Sequence, residues 1–209
     1  LIYHISHPIH VWWRDSKEET KLNNKTKNLV GVGLFTAIVV VLQFLGGGIR
    51  FTMFSITLVL VPLVVGSAVY GWKAGAWLGF AFGVAVLLSG DAAAFMIVDP
   101  LATVAVVLIK GIFCGLTAGL VYKLLSKWSK IVAVFAAAVT CPVVNTGIFL
   151  IGSRLFFWEK IGEWATQMGF PNAMEYAIFG LAGINFLIEI GVNIVLAPMI
   201  VRLIKIGKN

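Results

Sequence analysis

Hydrophobic and polar positions along this chain separate into long blocks. From Leu29 to Ile204, apolar runs of roughly 20 residues follow one another, interrupted by short stretches of glycine, proline or charge. A helix rises about 1.5 Å per residue, so such a run matches about 30 Å of bilayer hydrocarbon. The pattern predicts six crossing helices, over residues 28–45, 54–70, 74–89, 101–125, 131–153 and 178–204. Gly46-Gly47-Gly48 ends the first, and Pro62 is expected to bend the second. Gly71-Trp72-Lys73 reads as a tight turn between two crossings, and residues 91–100 as a polar break. The expected fold class is an all-α membrane protein, six transmembrane helices in a compact bundle spanning residues 28–206.

Two regions fall outside this pattern. Residues 1–27 are mostly polar and read as an N-terminal tail without the apolar core or cleavage site of a signal peptide. The chain opens on Leu1, so a trimmed or misplaced start is expected there. His4, His7 and His10 lie three apart in this tail, but no acidic or Cys partner completes a metal set, and no metal site is expected. Residues 154–177 place Trp158, Ile161, Trp164, Ala165 and Met168 at helical spacing, with Glu159, Lys160, Glu163 and Gln167 mainly opposite. That is the pattern of an external amphipathic helix, with headgroup anchoring as its default role and covering a site as the alternative.

Composition agrees with the blocks. The chain is 60% hydrophobic and only 12% charged, with a mean hydropathy of +0.98, whereas soluble domains are about 45–50% apolar. The formal charge of +7 does not point to nucleic acid, because the basic residues flank the apolar runs. With six spans, twelve basic residues fall on the side of the termini and only Arg50, Arg154 and Lys160 opposite, with Lys110 inside a span. The positive-inside rule then places both termini in the cytoplasm. Cys114 and Cys141 fall inside spans and read as small buried apolar residues.

A few residues in the spans are expensive to hold there. Lys110 and Glu189 each lie about 15 Å into their spans from the external side, where an ionised group costs on the order of 3 kcal/mol or more unless paired or hydrated. Similar depth makes a mutual ion pair one reading; a hydrated cavity, with Lys110 facing an anionic ligand, is the other. Asn145, Asn185 and Asn193 add amides, the first two in the outer half, where they read as interhelical glue or as a pocket wall. Pro142, three residues before Asn145, frees a backbone carbonyl. The external loops, with Arg50 and Phe54 in one and Asp91, Phe95 and Met96 in the other, look like a lid. The candidate substrate-binding set is therefore Lys110, Asn145, Asn185, Glu189, Arg50, Phe54, Asp91 and Phe95.

Small residues recur every four positions at Gly33 and Ala37, at Gly75, Gly79 and Gly83, and at Gly111, Gly115 and Gly119. Each set lets another backbone approach. The two later sets are expected to pack inside the monomer. Gly33 and Ala37 lie near the cytoplasmic end, where a partner could dock.

Enzyme chemistry finds little support. No His occurs in any span, so no Ser–His or Cys–His nucleophile can form there. No phosphate-binding loop is present, and Asp91 and Asp99 are expected in a loop.

Several segments resemble substrate-binding S components of energy-coupling factor transporters. They are Asn24 to Val30 and Gly33-Leu34-Phe35-Thr36-Ala37 followed by Leu42 to Gly47, then Pro62, Gly71 to Gly75, and Cys141 to Gly147. The resemblance covers roughly residues 25–206. It implies a subunit of a bacterial vitamin importer in the plasma membrane, partnered by a transmembrane T component and two cytoplasmic ATPases. ATP is then used by those partners, and this chain binds no cofactor. The resemblance further implies that a small-xxx-small pattern on the first helix meets the T component. Gly33 and Ala37 match that position, although Gly33 departs from the usual Ala. It also implies a site in the outer half, beneath the loops joining spans one to two and three to four. Lys110, Arg50 and Arg154 lean toward an anionic vitamin such as pantothenate, with folate, riboflavin and cobalamin open. A self-contained secondary transporter or channel is the alternative, though no inverted repeat is visible.

Overall fold

The computed structural model describes residues 9–46 and 58–207, and these are helical throughout apart from short turns. The elements are α1 (Ile9–Gly46), α2 (Leu60–Tyr70), α3 (Trp72–Ser89), α4 (Ala93–Val98), α5 (Pro100–Leu125), α6 (Lys130–Phe156), α7 (Trp158–Gln167) and α8 (Ala173–Glu175). A π-helical stretch, Tyr176–Gly183, then runs into α9 (Ile184–Gly207). Among the described residues, five helical segments are long and apolar enough to cross a membrane: Lys25–Gly46, Trp72–Ser89, Pro100–Leu125, Lys130–Phe156 and Ala173–Arg202. The apolar helix α2 is shorter, at 11 residues.

Several expected boundaries move. The first helix begins at Ile9, not at residue 28, so the polar stretch ahead of the apolar run continues the same helix. Pro62 does not bend a helix interior. It occupies the first turn of α2, where backbone N–H groups have no intrahelical partner and a residue lacking one costs little. The polar break at 91–100 contains a short helix of its own, α4. Asp99 behind it is extended, at φ −148°, and its carboxylate accepts the Ala102 N–H at 3.0 Å, capping α5 ahead of Pro100. The expected turn at Gly71 is present. Its φ of +91° is open to glycine and strained for other residues, and it reverses the chain between α2 and α3.

Packing is tightest where side chains are smallest. Gly75, Gly79 and Gly83 of α3 lie against Gly115, Gly111 and Val107 of α5, backbone on backbone. The main core is built from Leu60, Leu63 and Val64 of α2, Leu78 and Phe82 of α3, Cys114 of α5 and Cys141 of α6. The inner side of α1 joins it through Phe35, whose ring meets Tyr70 edge-on at 5.9 Å, and through fully buried Val39. A second, smaller core at one end gathers Phe95, Val106, Phe157, Ile161, Ala165, Tyr176 and Leu181.

That smaller core decides the role of α7. Ile161 and Ala165 are buried against the protein, and Trp158 and Trp164 pack beside them. Only Met168 of the predicted apolar stripe remains exposed. The stripe is therefore covered by the bundle and not left for lipid headgroups. α7 roofs one end of the helices.

A polar cavity beneath α4 and α7

The cavity begins where polar side chains interrupt apolar helices. Its volume is about 90 Å³, and its walls come from α1, α3, the α3–α4 turn, α4, α5, α6 and the helix through α9. A buried water needs about 10–15 Å³ by this measure, so the space holds several waters or part of a small solute. Gln43 lies near the C-terminal end of α1, Phe82 and Val86 in the second half of α3, and Thr103 to Lys110 in the first half of α5. Asn145, Thr146 and Phe149 sit in the second half of α6, and Leu181 to Glu189 at the start of the last long helix. Every wall residue thus belongs to the half of the bundle that α4 and α7 cover.

Six candidate residues from the sequence, Asp91, Phe95, Lys110, Asn145, Asn185 and Glu189, line this one space. The other two, Arg50 and Phe54, lie outside the described residues. Asn193 is buried as well, but it is not part of the wall.

Lys110 does not form the direct pair with Glu189 that equal depth suggested. Among the described residues the side-chain ion pair is Lys160 with Glu163, on the polar face of α7. The Lys110 ammonium instead lies 5.6 Å from the ring centre of Phe149 and 5.9 Å from that of Phe82. Glu189 and Asp91 act on it through space. Ring faces attract a cation by about 0.5–2 kcal/mol, which falls short of the several kcal/mol needed to take an ammonium out of water. The through-space attraction of Glu189 and Asp91 and the contents of the cavity add to it. Lys110 and Glu189 share a depth and both line the one cavity.

Asn145 presents a second unmatched group. The residue is 6% exposed, and Oδ1 has no hydrogen-bond partner among the described residues. Opposite in character, Gln43 is engaged: its Nε2 donates to Ser89 Oγ at 3.3 Å and to the Asp91 carboxylate. This ties the end of α1 to the turn after α3, where Gly90 in the left-handed region (φ +81°) ends that helix. Phe95 closes the space from α4, its ring edge-on to Phe149 at 5.6 Å, Phe157 at 5.0 Å and Trp164 at 5.3 Å. One aromatic side chain thus joins the roof helix α7 to the cavity wall.

The π-helical stretch contributes too. Widening the helix over Tyr176–Gly183 shifts the register just before Asn185, Phe186 and Glu189, and π segments are frequent at functional sites. Gln43, Thr103, Thr146 and the rings of Phe82, Phe149, Phe157 and Phe186 are wall residues that sequence reasoning did not place at the site. For Gln43 a signal existed: an amide within an apolar run, on the four-residue ridge Gly31, Phe35, Val39. The phenylalanines carried none, since core, lipid-facing and cavity rings look alike in sequence.

A family model described as ECF transporter, substrate-specific component, matches residues 27–201. Searches of curated proteins and of solved structures give no match.

Proposed function

The chain belongs to the ECF transporter substrate-specific component family, and from that premise we propose that it captures a small anionic vitamin outside the cell for an ATP-driven importer. Membership makes it a substrate-binding transport subunit, a multi-pass membrane protein whose family works with a T component and ATPases. The cavity beneath α4 and α7 is the proposed site, in a bacterial plasma membrane. One observation carries this reading: the Lys110 ammonium, set between two rings without an ion pair among the described residues, shares a wall with the unmatched Asn145 Oδ1. A ligand anion supplies what the ammonium lacks. Pantothenate is a fitting example.

In this reading α2 completes six crossings, both termini are cytoplasmic, and α4, α7 and the cavity face outward. Exposed Lys123, Lys127 and Lys130 at the α5–α6 turn support that orientation. Residues 1–27 then lie in the cytoplasm. The chain binds no cofactor; two partner ATPases use the ATP. Gly33 and Ala37, both exposed, are the proposed contact with the T component.

The tagged chain, extracted in mild detergent from cells that express the whole system, should bring a T component and ATPases with it. Cysteines at Lys127 and Glu163 should be labelled from opposite sides of intact cells, Glu163 from outside. Uptake by the chain alone in proteoliposomes, driven by an ion gradient without ATP, would overturn the proposal in favour of a self-contained transporter.

A further inference from the structure

The end of the bundle away from the cavity carries cations that the chain does not match. Lys123 stands in the last turn of α5, Lys127 in the turn that follows and Lys130 at the start of α6, and all three are exposed. At the cavity end the surface cations are engaged: Arg154 lies 4.3 Å from the ring centre of Trp158, and Lys160 pairs with Glu163. Among the described residues no ion pair meets Lys123, Lys127 or Lys130, and the sequence has no carboxylate between Asp99 and Glu159. Lys73 belongs to the same end. A Cβ on Gly119, one turn before Lys123, would collide with the Trp72 backbone, and the Lys73 ammonium lies 5.5 Å from the Trp72 ring centre. Helix ends do not account for the set. A cation is favoured in the last turn of a helix, as at Lys123, but disfavoured in the first, where Lys130 stands.

Between these lysines sits Trp128, 90% exposed. Its turn is fixed by backbone: the Trp128 and Ser129 N–H groups donate to the Leu125 carbonyl at 3.0 and 3.1 Å. Leu124, Ile131 and Val132 beside it are exposed as well, at the ends of two helices long enough to cross a membrane. Exposed aliphatic side chains, then an exposed indole, then ammonium groups follow the order of a bilayer from acyl chain to phosphate. Indoles concentrate at that level, and lysines there attract acidic headgroups. The apolar part of the patch continues the sides of the spans, which favours lipid over a protein partner. We propose that this end is a docking surface for acidic phospholipids, with phosphates at Lys123, Lys127 and Lys130 and the Trp128 indole just beneath them. The proposal does not depend on what the cavity binds.

The test is quenching of Trp128 fluorescence by brominated lipid, taken as the difference between the full chain and its Trp128→Phe variant. Both are reconstituted in equimolar phosphatidylcholine and phosphatidylglycerol vesicles, with bromine on the acyl chains of one lipid or the other. Each ammonium near the surface favours acidic lipid about fivefold, so brominated phosphatidylglycerol should quench more strongly and report a local enrichment of about fivefold or more. Raising salt from about 0.05 to about 0.5 M should reduce that enrichment. Lys123→Gln, Lys127→Gln and Lys130→Gln combined should abolish it, and the corresponding arginine changes should keep it. Lysines that serve topology alone would give equal quenching by the two lipids, and that result overturns the proposal. So does enrichment that survives the triple glutamine variant in monodisperse protein. Absence of quenching by either lipid overturns it too. Loss of the T component and ATPases from that variant in pull-down would then assign the surface to a protein partner.

Discussion

Small residues at four-residue spacing occur both between α3 and α5 and on the outer side of α1, and the two regions have opposite surroundings. A Cβ on Gly79 would collide with the Gly111 carbonyl oxygen, one on Gly75 with that of Gly115, and one on Gly83 would lie 3.0 Å from the Val107 carbonyl oxygen. A Cβ on Gly33 would meet nothing within 4 Å among the described residues, and Ala37 is exposed on the same helix beside exposed Leu34 and Val41. The first region is closed, its small residues consumed by the monomer. The second is open. Identical spacing permits close backbone approach in both, but only the surroundings say whether the approaching backbone is already present. The difference also separates two functions on the page: the closed seam holds Lys110, next to Gly111, at the cavity wall, while the open pair is available to another chain.

The strongest way to break the comparison is at the seam. Gly79→Leu should prevent the α3–α5 approach and cost about 3 kcal/mol or more, since backbone and not a flexible side chain stands in the way. The expected result is loss of monodisperse protein in size-exclusion chromatography. Normal yield and thermal stability would show that the seam is looser than described.

Gly33→Trp or Ala37→Trp on the open face should leave yield and ligand binding unchanged while blocking assembly with the T component in pull-down. Loss of ligand binding together with assembly would show that α1 packs within the monomer after all.

A smaller effect belongs to Lys110. If it holds the ligand anion, Lys110→Met weakens binding by about 1.5–3 kcal/mol, roughly ten- to a hundredfold. The double change with Glu189→Gln removes the charge left behind. Stability should recover in the double variant while affinity stays low. Near-normal affinity in a stable double variant would reduce Lys110 to a structural partner.

Smallest is Gln43→Leu, which cuts the link from α1 to Ser89 and Asp91. One side-chain hydrogen-bond set is worth about 1 kcal/mol, so affinity should fall roughly fivefold with assembly intact. Weakened assembly in the same variant would mean that the cavity end and the open face of α1, ten residues or about 15 Å apart, are not independent.

The sequence made several of these parts readable. Block hydrophobicity located the long apolar helices, and the Gly71 break separated α2 from α3, because a lipid-compatible run and a positive-φ glycine are local properties. Lys110, Asn145, Asn185 and Glu189 stood out because polarity inside an apolar run is costly wherever the helix points. The α7 stripe was readable as well. Its partner was not, since a stripe covered by the bundle and one set in headgroups have the same period.

What the sequence determined by itself was depth: which residues lie inside the apolar runs, and how far along. Depth is one-dimensional and follows from residue count and transfer energy alone. Tertiary structure decided direction. Helix rotation and crossing brought Gln43, Phe82, Phe149 and Asn145 to one cavity, closed the glycine seam of α3 and α5 and left Gly33 open. Those outcomes depend on which faces of separate helices meet, and that is set by packing between residues far apart in the chain.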